Sequence, residues 1–270
     1  MQAGSACILI SWNGRAQPFE CLAIDAVPEF ELVLFDYSGT VAAMPASSLP
    51  CTLISKRTEC KGQIFSAFAN HLAKREVQFA YVALIDDDIQ ISIATINRLL
   101  SIAKAENFDV FAPSLSHSSF YSHKQFLQQP SVDWHSVPWI EVMMPFYKQA
   151  LFMAARAYFE NSISSYGIDQ FAFAMLQQLT GMQHVAVIDA VVVTHGRAIS
   201  SDKTTFSNGL TAHQERRAMR RRCMQVIACD HPELLGSAWY YKTFAPLNGP
   251  LRFWTAYLAW PWHKVRRRFS

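Results

Sequence analysis

Charge is scarce in this chain of 270 residues, where Asp, Glu, Lys and Arg together reach only 17%. Disorder is nevertheless excluded, because 51% of the residues are hydrophobic and supply the core of one large domain. Net charge is +3, too small by itself to hold a nucleic-acid backbone, so no nucleic-acid partner is expected. The six cysteines (Cys7, Cys21, Cys51, Cys60, Cys223, Cys229) contain no CxxC pair or other zinc spacing and read as reduced packing residues. Met1 to Ser5 carry no basic patch ahead of an apolar stretch, unlike a secretory signal. No uncharged apolar run reaches about 18 residues, the length a spanning helix needs. Repeats and low-complexity tracts are absent as well. A cytoplasmic location is the simplest expectation.

What is abundant is aromatic, at 13%, in keeping with a well-buried body or some membrane-facing surface. The first half alternates β-branched runs with helical patterns, the signature of an α/β sheet with crossover helices. Strands are expected at Ala6 to Ser11, Glu31 to Asp36, Cys51 to Ser55, Ala80 to Ile85 and Asp109 to Ala112. Helices are expected over Gly62 to Lys74 and Ser92 to Glu106, the second capped by Ser92. Ser114 to Pro138 is turn-rich and reads as loop. A strand at Trp139 to Phe146, helices near Lys148 to Glu160 and Ile168 to Leu179, and a strand at Val185 to Thr194 follow. The pattern divides the chain into a domain over 1–199 and a basic, aromatic, helical extension over 200–270.

Asp86, Asp87 and Asp88 follow the buried-strand run Tyr81 to Ile85. Ligands bind beyond the carboxyl ends of strands in open α/β sheets, which is where these acids arrive. Adjacent carboxylates repel one another unless a cation or donors compensate, and alternating side-chain directions let Asp86 and Asp88 face one way. Oxygen ligands suit Mg²⁺ or Mn²⁺. The bland alternative is a solvated acidic turn.

Three further residues carry chemistry. Asp169, after Gly167, is either a plain helix cap or a general base for an acceptor hydroxyl, and the two roles can coexist. His195, closing the last apolar strand, is either a satisfied structural histidine or the nitrogen ligand of a mixed Asp/His metal site. Glu141 lies in an apolar segment and needs a cationic partner, a solvent-filled cleft or a substrate hydroxyl, which makes it a candidate acceptor-binding residue.

The order of these pieces resembles the core of GT-A glycosyltransferases: a nucleotide-binding βα half, an acidic DxD motif, a glycine-containing turn with a catalytic acid, and a late metal-binding histidine. A closer likeness is to a domain-of-unknown-function family of glycosyltransferase-like proteins in plants and bacteria. It rests on Leu34 to Gly39, Tyr81 to Asp88, Ala112 to Leu115, Ile140 to Phe146, Tyr166 to Asp169, and Val187 to His195. The resemblance implies a GT-A (Rossmann-like) single domain with a mixed central sheet, followed by the helical extension. It also implies Asp86, Asp88 and His195 on Mn²⁺ or Mg²⁺, and Asp169 as base. Asp87 would contact the donor sugar or ribose, with Ser11, Asn13 and Asp36 near the nucleotide. One departure stands out: GT-A proteins usually carry an acidic pair where this chain has Ile168-Asp169. Asp169 is then the sole base of an inverting enzyme, or an acceptor holder in a retaining one with no identifiable nucleophile.

The expected activity is sugar transfer from a nucleoside-diphosphate sugar to a glycan or lipid-linked acceptor, as in bacterial surface polysaccharide synthesis. A nucleotide-sugar hydrolase or other metal-assisted phosphoryl chemistry is the enzymatic alternative, and a silent membrane-associated scaffold the non-enzymatic one. Leu251 to Arg268 joins interfacial aromatics to terminal cations, which suits either peripheral binding at the cytoplasmic face of the inner membrane or an aromatic helix docked on the core. The arginines from Arg216 to Arg222 form either a solvated basic face or two stripes for phosphate.

Overall fold

The computed structural model describes residues 6–15, 17–44, 49–198 and 205–244, and the backbone of 265–267. In chain order the strands are β1 (Ala6–Trp12), β2 (Leu22–Ala23), β3 (Phe30–Asp36), β4 (Thr52–Ser55), β5 (Tyr81–Ile85), β6 (Ile89–Ser92), β7 (Val110–Leu115), β8 (Val132–Ser136), β9 (Phe146–Lys148), β10 (Val185–His195) and β11 (Val265–Arg267). The helices are α1 (Lys61–Ala73), α2 (Ile93–Glu106), α3 (Gln149–Ala154), α4 (Arg156–Phe159), α5 (Ala174–Thr180), α6 (Ala212–Asp230) and α7 (Ala238–Phe244).

Continuous apolar runs form the centre of the sheet. β1 and β5 are buried at every position and β3 at all but Glu31, as strands covered on both faces must be. Sheet order is β11-β8-β10-β7-β9-β5-β1-β3-β4, with β2 and β6 off that path. β4, β3, β1 and β5 run parallel, and β9 is antiparallel to both neighbours, β5 and β7. The register sets Ile10 opposite Ile85 and Trp12 opposite Asp36. Ser11, Asp36 and Asp86 therefore emerge together at one carboxyl edge.

Helix α1 buries Ile64, Phe65, Phe68, Ala69 and Leu72, the spacing of one helical face. Phe65 meets Phe152 and Phe159 with ring centroids 6.0 and 5.3 Å apart, and Phe68 meets Phe152 at 5.6 Å. Each fully buried ring of this kind contributes about 2–3 kcal/mol. The helix start abuts the chain at Ser162: a Cβ on Gly62 would lie 2.1 Å from the Ser162 carbonyl oxygen. Helix α2 opens on Ser92, whose Oγ accepts from Thr95 N–H at 3.1 Å, as expected of that cap.

Some elements differ from expectation. Trp139 to Pro145 is not strand; only Phe146–Lys148 pairs, because 139–145 crosses the strand ends and gives its Met143 carbonyl to Asp86 N–H at 3.0 Å. The presumed loop 114–138 contains β8, pinned to β10 by His135 Nδ1 at 2.6 Å from Asp189 Oδ2. The helix expected from Ile168 begins with π-helical Ile168–Phe173 before α5. The helix expected from Lys148 to Glu160 is split into α3 and α4. All six cysteines are free, and burial pushes the Cys7 and Cys223 thiols up to about 12. Among the described residues no helix is long and apolar enough to cross a membrane. The interfacial segment expected at 251–268 lies outside the described residues, apart from the backbone of β11, which pairs with β8.

Candidate active site

After Asp86 the chain turns, with Ile89 N–H donating to the Asp86 carbonyl at 3.2 Å. The carboxylates on that turn have different partners. Asp86 Oδ1 pairs with Lys61 Nζ at 2.6 Å, and the same ammonium donates to the Met143 carbonyl at 3.0 Å. Burial pushes the Asp86 carboxyl up while Lys61 opposes it. Asp87 accepts from the Tyr37 hydroxyl at 2.9 Å, and its N–H donates to Ser11 Oγ at 3.1 Å.

Asp88 faces His195. The end of β10 reaches it by pairing with β6, His195 opposite Ile89, and Gly196 N–H donates to the Asp88 carbonyl at 2.9 Å. His195 Nδ1 lies 2.7 Å from the Phe120 carbonyl, which can only accept, so Nδ1 carries a hydrogen. A neutral ring then turns the lone pair of Nε2 toward Asp88 Oδ1, 3.4 Å away. That oxygen is buried and has no hydrogen-bond partner. Two facing acceptors are satisfied by a proton or by a cation between them. Asp88 raises the imidazole against the opposing effect of burial. Burial disfavours the Asp88 carboxylate, but His195 and Arg197 bring it below its ordinary range. One carboxylate and one imidazole fit Mn²⁺ or Mg²⁺ with positions left for outside ligands. Asp86, expected in this set, is held by Lys61 instead, and among the described residues no cluster of three acid, His or Cys ligands forms.

Asp169 lies within electrostatic reach of Glu141. Gly167 has φ +87°, and a Cβ there would stand 3.1 Å from Phe171 and 3.3 Å from Arg216, so glycine permits the tight entry into the π-helical turn. Asp169 is 7% exposed. Burial first, then the charge of Glu141, pushes its carboxyl up to about 7, against Gln170 N–H and Arg216. Glu141 Oε1 accepts from Ser122 Oγ at 2.9 Å, whereas Oε2 is buried without a partner. Burial raises Glu141; Ser122, His195 and Lys61 lower it. Glu141 thus lies within electrostatic reach of both Asp169 and His195. Beneath Asp169, the Tyr147 ring stacks on Phe173 at 4.1 Å.

Helix α6 braces this wall. Arg216 Nε donates to Gln170 Oε1 at 2.9 Å and its guanidinium lies over Phe171 at 5.6 Å. Buried Glu215 accepts from Ser164 N–H at 2.7 Å, from Ile163 N–H at 3.1 Å and from Asn208 Nδ2 at 2.6 Å. Helix α6, in the expected extension, thus packs against the turn that carries Asp169.

On the expected nucleotide side, Ser11 Oγ orients Asp87, and Asn13 Oδ1 accepts from Arg15 N–H at 2.8 Å. Asp36 is fully buried and saturated: Oδ1 accepts from Ser38 N–H and Oγ at 2.8 and 2.6 Å, and Oδ2 from Thr40 N–H, Val41 N–H and Ser55 Oγ at 3.1, 3.0 and 2.7 Å. It shapes the 38–41 connection and offers no open oxygen to a ligand. Ser11, Asn13, Cys21, Asp87 and Arg197 border a cavity of about 40 Å³, room for a few waters, where a small-molecule pocket needs about 300 Å³ or more.

Sequence reasoning missed Lys61, Tyr37, Arg197 and the bracing role of Arg216. Lys61 did leave a signal: a cation at the first position of a helix with no acid in its first turn opposes the dipole. Arg197 stands 3.7 Å from Asp87 Oδ1 and 3.9 Å from Asp88 Oδ2, and its place two residues after His195 was the available clue.

No protein-family model and no curated protein matches the chain. Solved structures match it in fold. S. aureus TarS residues 1–349, crystallised with UDP-GlcNAc, superposes with TM-score 0.54 at 12% identity, covering 84% of this chain and 67% of that one. A second S. aureus TarS structure gives 0.53 at 12% identity over 83% of this chain and 40% of that one. GalNAc-T7, solved with UDP, GalNAc and Mn²⁺, gives 0.50 at 10% identity over 87% and 52%. The chain thus spans about half the length of GalNAc-T7 and less than half of the longer TarS chain. An α/β unit with a mixed central sheet, its site at the carboxyl edge, this chain has the fold of GT-A glycosyltransferases.

Proposed function

We propose that the protein is a glycosyltransferase that moves a sugar from a nucleoside-diphosphate donor to a hydroxyl of a glycan or lipid-linked acceptor, in the assembly of a bacterial surface polysaccharide. One observation carries the reading: Glu141 lies within electrostatic reach both of His195, which faces Asp88, and of Asp169, whose buried carboxyl is raised to about 7. The fold likeness to proteins solved with UDP-GlcNAc, or with UDP and Mn²⁺, supports it.

Asp88 and His195 would hold a divalent cation, Mn²⁺ or Mg²⁺, which when bound neutralises charge on the donor diphosphate. Lys61 fixes Asp86 against the Met143 carbonyl and so sets the geometry of the turn that aims Asp88. Tyr37 and Ser11 orient Asp87 toward the donor ribose or sugar. Asp169, once ionised, takes the acceptor hydroxyl proton as the new bond to the anomeric carbon forms and the bond to the phosphate oxygen breaks. Glu141 Oε2, an acceptor awaiting a donor, binds another hydroxyl of the incoming acceptor.

A thermal-shift screen of nucleoside diphosphates with and without Mn²⁺ tests the reading. The expected result is a base-selective, cation-dependent rise that the Asp88→Ala variant loses. If no nucleoside diphosphate stabilises the wild-type protein with either cation, the proposal fails. A product assay then separates transfer from hydrolysis, through glycosylated acceptor against free sugar.

A further inference from the structure

Helix α7 buries only Phe244, leaving Tyr241 63% exposed, with Leu235 just ahead of it 43% exposed. Trp239 and Tyr240 are half-buried against the same ring. Lys242 lies among these aromatics, and α6 exposes Arg217 and Arg221 one turn apart, on the stripe beside Arg220. Arg220, on α6, donates to the Phe244 carbonyl and so ties α6 to the end of α7. Between Thr205 and Phe244 there are six basic residues and three acidic ones. One of the acids, Glu215, is buried on the 162–164 backbone; Asp230 and Glu233 lie past the arginines at the end of α6.

Trp and Tyr favour the headgroup level of a bilayer, and Lys and Arg are drawn to anionic lipid. We propose that α6 and α7 form a docking face for an anionic lipid surface, anchored to the turn that carries Asp169. The anchoring is direct. Phe244 stacks on Phe171 at 5.8 Å with an interplanar angle of 23°, and Arg216 bonds Gln170, so both helices grip Ile168–Phe173. The sequence just beyond, with Trp254, Tyr257, Trp260 and Trp262 ahead of Lys264 and Arg266 to Arg268, continues the same chemistry. A site so placed meets an acceptor carried in the bilayer, a consequence that rests on the glycosyltransferase reading although the docking itself does not.

Co-sedimentation of the full chain with phosphatidylcholine vesicles, with and without phosphatidylglycerol, tests the face. Binding is expected only with the anionic lipid and is weakened by salt. Each cation is worth roughly fivefold in partitioning, so R217E/R221E weakens binding by about 25-fold or more. Trp239→Ser with Tyr241→Ser weakens it as well, and Tyr241→Ser alone, at an exposed position, serves if the double variant fails to fold. Absence of binding to anionic vesicles, equal binding to neutral ones, or wild-type affinity in these variants overturns the proposal, the last assigning any binding to 251–268. The nucleotide and Mn²⁺ thermal shift is recorded on the same samples. Its absence in the wild type sinks the glycosyltransferase reading and leaves the vesicle result standing.

Discussion

His195 points Nε2 at Asp88 Oδ1 from 3.4 Å because its other nitrogen is committed to the Phe120 carbonyl at 2.7 Å. Neither atom can donate to the other while the ring is neutral, and the Asp88 oxygen is buried. The pair is satisfied by a proton or by a cation between the two atoms, and Ser119 Oγ, accepting from His195 N–H at 3.1 Å, helps hold the backbone that aims it.

If the proposed cation site is correct, removing either member should abolish cation binding. Asp88→Asn and His195→Ala are each expected to weaken Mn²⁺ binding by about tenfold or more and to abolish the Mn²⁺-dependent part of any nucleotide thermal shift. Calorimetric titration of Mn²⁺ checks this without turnover. Unchanged Mn²⁺ affinity in both variants would exclude them as ligands.

Lys61 compensates a carboxylate that burial disfavours. The Lys61 and Asp86 side chains are 13% and 28% exposed, so solvent screens part of the unpaired charge. Lys61→Met should cost about 1–3 kcal/mol in urea denaturation. Adding Asp86→Asn should recover part of that loss, because the orphaned charge is gone. Additive losses in the double variant would show that the two do not act as a pair.

Strands with long apolar runs were legible in sequence because burial forces such runs: β5, buried throughout, was expected from Ala80 to Ile85, and β10, buried from Val185 to Asp189, was expected from Val185 to Thr194 and ends at His195. β8 was not, since Val132–Ser136 contains Asp133 and His135 and owes its place to an aspartate 54 residues away. Ile168–Phe173 has helical spacing, and nothing in that spacing distinguishes a π turn from an α turn. In the candidate site, Asp88, Asp169 and His195 stood out in sequence because ionisable residues at strand and helix ends are chemically conspicuous, and the structure sets His195 opposite Asp88 and buries Asp169. The pairing of Asp86 with Lys61 was hidden, since it joins a strand end to a helix start 25 residues earlier.

Asp36 is a structural carboxylate. Burial alone would raise it, but the Ser38 and Ser55 hydroxyls and the Val41 and Ser38 N–H groups bring it below its ordinary value. A depressed folded-state pKa gives stability that is present above the unfolded value near 3.8 and lost as pH falls through the folded one. Asp36→Asn should cost about 2–4 kcal/mol at neutral pH and progressively less in acid. Urea midpoints across pH 3–7 measure this; a cost independent of pH would assign it to packing.

Asp169 has the opposite sign. Its carboxyl is raised from 3.8 to about 7 in the folded protein, so the folded state binds more protons than the unfolded state between those values, and stability falls as pH rises through that window. Asp169→Asn removes the penalty. The variant should match the wild type below about pH 4 and exceed it by about 2–4 kcal/mol at pH 8, the upper end following from roughly 1.4 kcal/mol per pKa unit. Any transfer activity should rise with pH through about 7 in the wild type and fall by about 10²-fold or more in the variant. Glu141→Gln supplies the internal check: removing the neighbouring charge should lower the Asp169 pKa, shifting both the stability curve and the activity profile toward acid. A profile that stays in place in Glu141→Gln would separate the two carboxylates, and normal turnover in Asp169→Asn would remove Asp169 as the base.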